Sequence, residues 1–177
     1  MKTYGSEPGM PSSVQVGISE LVVSDGTEDS DETLKSYGLG SCLAIALYDP
    51  ETGIGGLAHA MLPDGDTADH SDRKPGKYAD TAIRAMLRRM VERGASYTAV
   101  EAKLAGGSDM FDFDSFGDGV GQRNIVAARE ELERLGVPIV AEDVGGDRGR
   151  TVEFSPESGT LLVKCSSDEG EDGVTKL

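Results

Sequence analysis

Two cysteines and two histidines are the only soft nucleophiles and near-neutral bases in the chain. One of each falls within Ser36 to Pro63, SYGLGSCLAIALYDPETGIGGLAHAMLP. Cys42 and His59 are therefore candidate partners. A thiol of ordinary pKa, ~8.5, is mostly protonated at neutral pH, and an adjacent imidazole can take that proton to leave a thiolate–imidazolium pair. Gly38, Leu39, Gly40 and Ser41 come directly before Cys42. Glycines let a backbone aim successive N–H groups at one point, so an oxyanion hole shaped by Gly40, Ser41 and Cys42 is the companion expectation. The same glycines suit a phosphate cradle less well, because an apolar strand follows instead of a helix and no P-loop lysine is present.

Whether the two residues meet depends on the elements that carry them. LAIALYD and IGGLAHAML read as strands joined by the turn residues DPETG, a hairpin. In an antiparallel hairpin the numbers of opposed residues have a constant sum, and a turn centred between Pro50 and Thr52 makes it 101, 102 or 103. At 101, Cys42 faces His59 directly, with Cβ atoms ~5 Å apart; at 103 they are diagonal neighbours on one face, ~7 to 8 Å apart. At 102 the alternation of the pleat sends His59 to the other face and the pairing fails. The sequence leaves all three open.

Each residue also has a plainer reading. A cysteine at the start of an apolar strand is often a small buried hydrophobe, which is the reading for Cys165 beside Lys164. A histidine in an apolar strand is often a satisfied core residue, whereas His70, in TADHSDRKPGK, is read as solvated and as the reserve base. No CxxC or HxxxH spacing occurs, so no metal site is expected. Phe111, Phe113 and Phe116 in MFDFDSFGDG form either core or an exposed contact patch. Gly106, Gly107, Gly145 and Gly146 are read as shaping tight loops, and Asn124 as a brace near a helix.

Around the hairpin, VQVGISELVVS reads as a first strand, followed by an acidic loop, DGTEDSDETLK. ADTAIRAMLRRMVERG places Ile83, Met86, Leu87, Met90 and Val91 on one helical stripe, with Asp80 near its start and Gly94 as a stop. A second helix runs from about Gly121 to Leu135, with Ile125, Ala128, Leu132 and Leu135 inward and Gly136 as its stop. VPIVAEDV, RTVEF and TLLVKC read as strands. The segments intermix without regular βαβ alternation, which predicts an α+β fold, a mixed sheet with helices packed on it. Residues 1–13 and 166–177 are rich in Gly, Ser, Pro or acid and are expected to be loose, leaving one domain over residues 14–165.

Thirty-two acidic residues against 17 basic, a formal net charge of −15, argue against a nucleic-acid partner, which needs clustered Lys and Arg. Such repulsion is tolerable where concentrated salt screens it, so a salt-loving cytoplasm is the expectation. No apolar run approaches the ~20 residues of a membrane span, and MKTYGSEPGMPSS lacks the apolar stretch of a secretory signal. A cytoplasmic protein with reduced thiols and no membrane insertion follows, which disfavours a Cys42–Cys165 disulfide.

GLGSCLAIALYDPETGIGGLAHAMLP, KYADTAI, EAKLAGGSDMF, GQRNI, EDVGGDRGRTVEF and SGTLLVK, in this order over residues 14 to 164, resemble the chemoreceptor glutamine deamidase family CheD. The resemblance implies Cys42 as nucleophile and His59 as base. It also implies a hydroxyl six positions before the cysteine, a threonine in the family and Ser36 here. An α+β sandwich akin to cysteine hydrolases and toxin deamidases is implied, with no cofactor. The implied reaction hydrolyses glutamine side chains on methyl-accepting chemotaxis receptors to glutamate and ammonia through a thioester. A CheC-type phosphatase is an implied partner, for which Phe111 and Phe113 are candidate contacts. A binding-only regulator of such a phosphatase is the alternative, and transglutamination through the same thioester needs no different residues.

Overall fold

A computed structural model describes residues 12–26, 32–65, 74–109, 119–166 and 173–177. Its elements run β1 (Ser13–Gln15), β2 (Leu21–Ser24), β3 (Thr33–Leu39), β4 (Leu43–Tyr48), β5 (Gly55–Ala60) and α1 (Ala79–Glu92). They continue β6 (Glu101–Gly106), α2 (Val120–Leu135), β7 (Ile139–Val144), β8 (Arg150–Ser155), β9 (Thr160–Cys165) and β10 (Gly173–Lys176).

The strands make two five-stranded sheets, one ordered β1-β3-β8-β9-β10 and the other β2-β5-β4-β6-β7. Each is mixed: β1 with β3 and β6 with β7 are parallel, and the remaining pairs are antiparallel. The burial pattern explains the layering. Every residue of β4 from Leu43 to Leu47 and all of β5 is buried, as a sheet covered on both faces requires. Leu43, Ile45 and Leu47 pack with Ile83, Met86, Met90, Ile125 and Leu132 of the two helices. Ala44, Ala46 and Leu57 pack on Leu34, Val152, Phe154 and Val163 of the other sheet. The molecule is thus α+β in three layers, helices on sheet on sheet, with cores on both sides of β4 and β5. The first sheet's outward face is partly solvated, and β8 accordingly alternates buried with half-buried residues.

The hairpin, both helices and the strands β7, β8 and β9 lie where the sequence pattern places them. Val91 departs from its helical stripe: it is 44% exposed, whereas its neighbour Met90 is fully buried. VQVGISELVVS is two strands, because the chain turns at residues 16–20 and passes from one sheet to the other. Two bonds hold that turn: the Gly17 N–H donates to the Glu20 carboxylate (2.8 Å), and the Glu20 N–H donates to the Gly17 carbonyl. Besides the C-terminal strand, two strands escape the sequence reading. β3 begins inside the segment taken as acidic loop, and β6, which lies between β4 and β7, has the helix-like composition EAKLAG. The single expected sheet is therefore two. At the C-terminal end Gly173–Lys176 pairs with β9 instead of fraying. His70, Phe111, Phe113 and Phe116 fall outside the described residues.

Candidate active site

The hairpin adopts the register with sum 103: Leu43 opposes Ala60 and Ala44 opposes His59. Cys42, the residue before β4, therefore lies on the same face as Ala44 and diagonal to His59, the geometry that allows thiol and imidazole to approach. That face looks toward the other sheet, and Cys42 packs half-buried against the cluster containing Leu39, Ala44 and Ala105.

His59 is 1% exposed, and Ser36, on β3 of the facing sheet, is fully buried. Their side chains meet across the sandwich, Ser36 Oγ lying 2.7 Å from His59 Nδ1. Ser36 Oγ is also 2.8 Å from the Val16 carbonyl oxygen, which can only accept. The hydroxyl proton therefore goes to Val16, and the serine oxygen accepts from Nδ1–H. This chain of two bonds fixes the tautomer and leaves the lone pair on Nε2. Among the described residues Nε2 is buried with no hydrogen-bond partner. An orphaned buried acceptor costs about 1–3 kcal/mol, and such groups are found where chemistry needs them.

The turn before β2 clasps the histidine from behind. The Ser19 N–H donates to the His59 carbonyl (2.9 Å), and the His59 N–H donates to the Glu20 carbonyl (3.0 Å). The backbone bend that splits the first strand thus carries both the Val16 acceptor and the clamp on His59.

Burial moves both titrating groups toward neutrality. It pushes the Cys42 thiol above its ordinary range and, as the leading cause, pushes His59 below its own, with the Val16 carbonyl and the Glu20 charge opposing the second shift. Burial thus favours the uncharged form of each group. The same burial disfavours a preformed thiolate–imidazolium pair.

The segment Gly40–Cys42 is held by its carbonyls. The Ser108 N–H donates to the Gly40 carbonyl (2.9 Å), the Gly107 N–H to the Cys42 carbonyl (2.8 Å), and Asn124 Nδ2 to the Ser41 carbonyl (2.8 Å). In a regular strand alternate carbonyls point to opposite sides; here three consecutive ones are taken by the segment running from β6 into α2. Because each trans peptide sets its N–H against its C=O, the N–H groups of Ser41 and Cys42 point away from that segment. Successive amides turned away from their carbonyls' partners are the kind of backbone an anion site requires. The close approach of the two segments depends on glycine: Gly106 has φ 106°, and a Cβ there would lie 2.5 Å from the Cys42 carbonyl oxygen.

The structure joins Ser36 to His59 and sets Cys42 on the same face, diagonal to His59, with Gly40 and Ser41 just before it; among the described residues His59 Nε2 makes no hydrogen bond, to the thiol included. It adds three residues that were not assigned to the site, Val16, Ser108 and Asn124. Buried Arg150 stands behind Ser108, donating to its Oγ (2.7 Å), to the Gly145 carbonyl (2.9 Å) and to Asp143 (3.0 Å). Asn124 stood out in the sequence only as a brace; the signal for its role is three-dimensional. Cys165, at the end of β9 opposite Arg150 and Gly173, has no comparable surroundings.

Among known sequences, the family described as "CheD chemotactic sensory transduction" matches residues 61–165. A probable chemoreceptor glutamine deamidase CheD from Haloarcula marismortui is 43% identical over 168 residues, covering 95% of this chain and 94% of its own. The chemoreceptor glutamine deamidase CheD of Bacillus licheniformis is 40% identical, covering 93% of this chain and 94% of its own. That of Bacillus subtilis is 40% identical, covering 85% of this chain and 90% of its own. The family match begins two residues after His59, whereas a likeness spanning 95% of the chain reaches across Ser36, Cys42 and His59.

Proposed function

The chain belongs to the CheD family, and we propose that it deamidates glutamine side chains of chemoreceptors with Cys42 as nucleophile, His59 as acid and base, and Ser36 as the group that orients His59. The observation that carries the chemistry is the bond chain from His59 Nδ1 through Ser36 Oγ to the Val16 carbonyl, which leaves Nε2 ready to accept a proton on the face shared with Cys42.

The reaction follows from that tautomer. His59 Nε2 takes the Cys42 proton as the sulfur bonds to the glutamine carbonyl carbon, and the oxygen gains a negative charge facing the Ser41 and Cys42 N–H groups. As the tetrahedral centre collapses, imidazolium gives its proton to the departing nitrogen, so ammonia leaves and a thioester remains. Water then adds to the thioester, losing a proton to His59, and the C–S bond breaks to give glutamate and restore the thiol. One amide and one water become one carboxylate and one ammonium. An amine in place of water would give transglutamination with the same residues.

Each turnover adds a negative charge to a receptor, the class of substrate named for the relatives. A CheC-type phosphatase remains the second partner we propose, together with a cytoplasmic setting. The test is mass spectrometry of a glutamine-bearing receptor fragment: wild type converts glutamine to glutamate, and Cys42→Ala does not while still binding the fragment. Wild type that binds but never converts the fragment, or Cys42→Ala that converts it as well as wild type, contradicts the proposal.

A further inference from the structure

Asn124 is fully buried near the start of α2. Its Nδ2 donates to two carbonyls at the open end of the hairpin, Ser41 before β4 at 2.8 Å and Met61 after β5 at 3.1 Å. Ser41 is the residue before Cys42, and Met61 lies two residues beyond His59. One side-chain amide therefore ties the strand end that carries the thiol to the strand end that carries the imidazole. Gly121 lets the start of α2 approach the loop after β6 so closely that a Cβ would lie 2.5 Å from the Gly107 carbonyl oxygen.

We infer that Asn124 is a positioning residue for the transition-state oxyanion: by holding the Ser41 carbonyl it turns the Cys42 N–H toward the place where charge develops. The inference rests on the cysteine mechanism proposed above and adds to it the group that sets the hole. Without the Asn124 bond the Ser41–Cys42 peptide loses the partner on its own carbonyl and is held only through its neighbours, the Gly40 and Cys42 carbonyls. A hydrogen-bond donor that must be reoriented during reaction contributes less than one already in place. The neighbouring peptide keeps its own brace, as the Gly40 carbonyl stays on the Ser108 N–H.

The prediction separates positioning of the oxyanion from thiol activation and from folding. Alkylation of Cys42 by iodoacetamide passes through a transition state with no developing carbonyl oxyanion, so it does not use the hole. In full-length Asn124→Ala at molar salt, kcat for ammonia release from a receptor fragment should fall about 10- to 100-fold. KM and the alkylation rate of Cys42 at alkaline pH should stay within about twofold of wild type. Asn124→Ser, which keeps one donor, should recover part of kcat, and it is the variant to use if the alanine form melts below the assay temperature. Unchanged kcat in a folded variant overturns the inference, as does a matching fall in kcat and alkylation. Wild-type activity that survives complete alkylation of Cys42 would instead remove the cysteine mechanism on which it rests.

Discussion

Lys35 and Ser36 are neighbours on β3, yet they face different solvents. Lys35 points to the outer face of its sheet, where it lies 3.6 Å from Glu153, which Lys164 approaches to 2.8 Å. Ser36 points into the sandwich, is fully buried, and gives both of its bonds to the His59 relay. The outer group is partly hydrated, and Glu153 keeps a depressed pKa chiefly through its hydrogen bond from Lys164. The inner group is shut off from bulk solvent and, among the described residues, leaves an acceptor, Nε2, unpaired. A polar network on the outer face contributes little to stability, whereas one between the sheets that leaves an acceptor unpaired costs stability, which is the arrangement the proposed chemistry would require.

The comparison breaks most visibly if Ser36→Ala is harmless. Loss of the hydroxyl leaves Nδ1–H and the Val16 carbonyl unpaired and frees the imidazole to turn. We expect kcat to fall about 10²-fold, with a stability loss of about 1–3 kcal/mol in a chemical melt. Ser36→Thr keeps the donor and acceptor and should hold kcat within about tenfold of wild type; a threonine variant as poor as the alanine would show that the hydroxyl is not what Ser36 supplies.

Next comes pH. His59 titrates lower in the fold than in the unfolded chain, so its neutral form contributes stability fully above the ordinary imidazole value of 6.5, and that contribution is lost as pH falls below it. Cys42 titrates higher in the fold, so the alkaline loss begins as pH rises through the ordinary thiol value of ~8.5. His59→Asn should flatten the acid arm of a stability curve below pH 6.5, and an unchanged arm would show that His59 is not buried in its neutral form.

Salt acts on the whole surface. With a net charge of −15, the melting temperature should rise from dilute buffer to molar salt as repulsion is screened, and a flat or falling trend would sink the halophilic reading. The smallest effect belongs to the outer face: Glu153→Gln should cost about 0.5 kcal/mol or less and leave kcat alone, read by melt and by ammonia release.

How much of this was legible follows the same division. The apolar runs of β4 and β5 and the stripes of α1 and α2 announce themselves because burial on those faces is nearly continuous. β6 does not, because Glu, Ala, Lys and Leu are good helix formers and only its place between two strands overrides that preference. β3 was hidden by mixed composition and by its bulge between Ser36 and Leu39. The pairing of Cys42 with His59 was reduced to three registers, and the choice of 103 was made by a turn in which Asp49 bonds Ile54 and Gly53, a detail of loop closure no pattern encodes. Asn124 lies 83 residues from the carbonyl it holds, a separation only the packed fold can bridge.

The most direct test of the cysteine mechanism is an acid quench of wild-type protein turning over a glutamine-bearing receptor fragment, followed by mass spectrometry of the cysteine peptides. The account predicts a fragment-sized acyl adduct on the peptide containing Cys42, none on that containing Cys165, and none on either when His59→Ala is quenched at the same time. Glutamate formed with no adduct on Cys42 at any quench time, by a protein in which Cys42→Ala stays active, would contradict it.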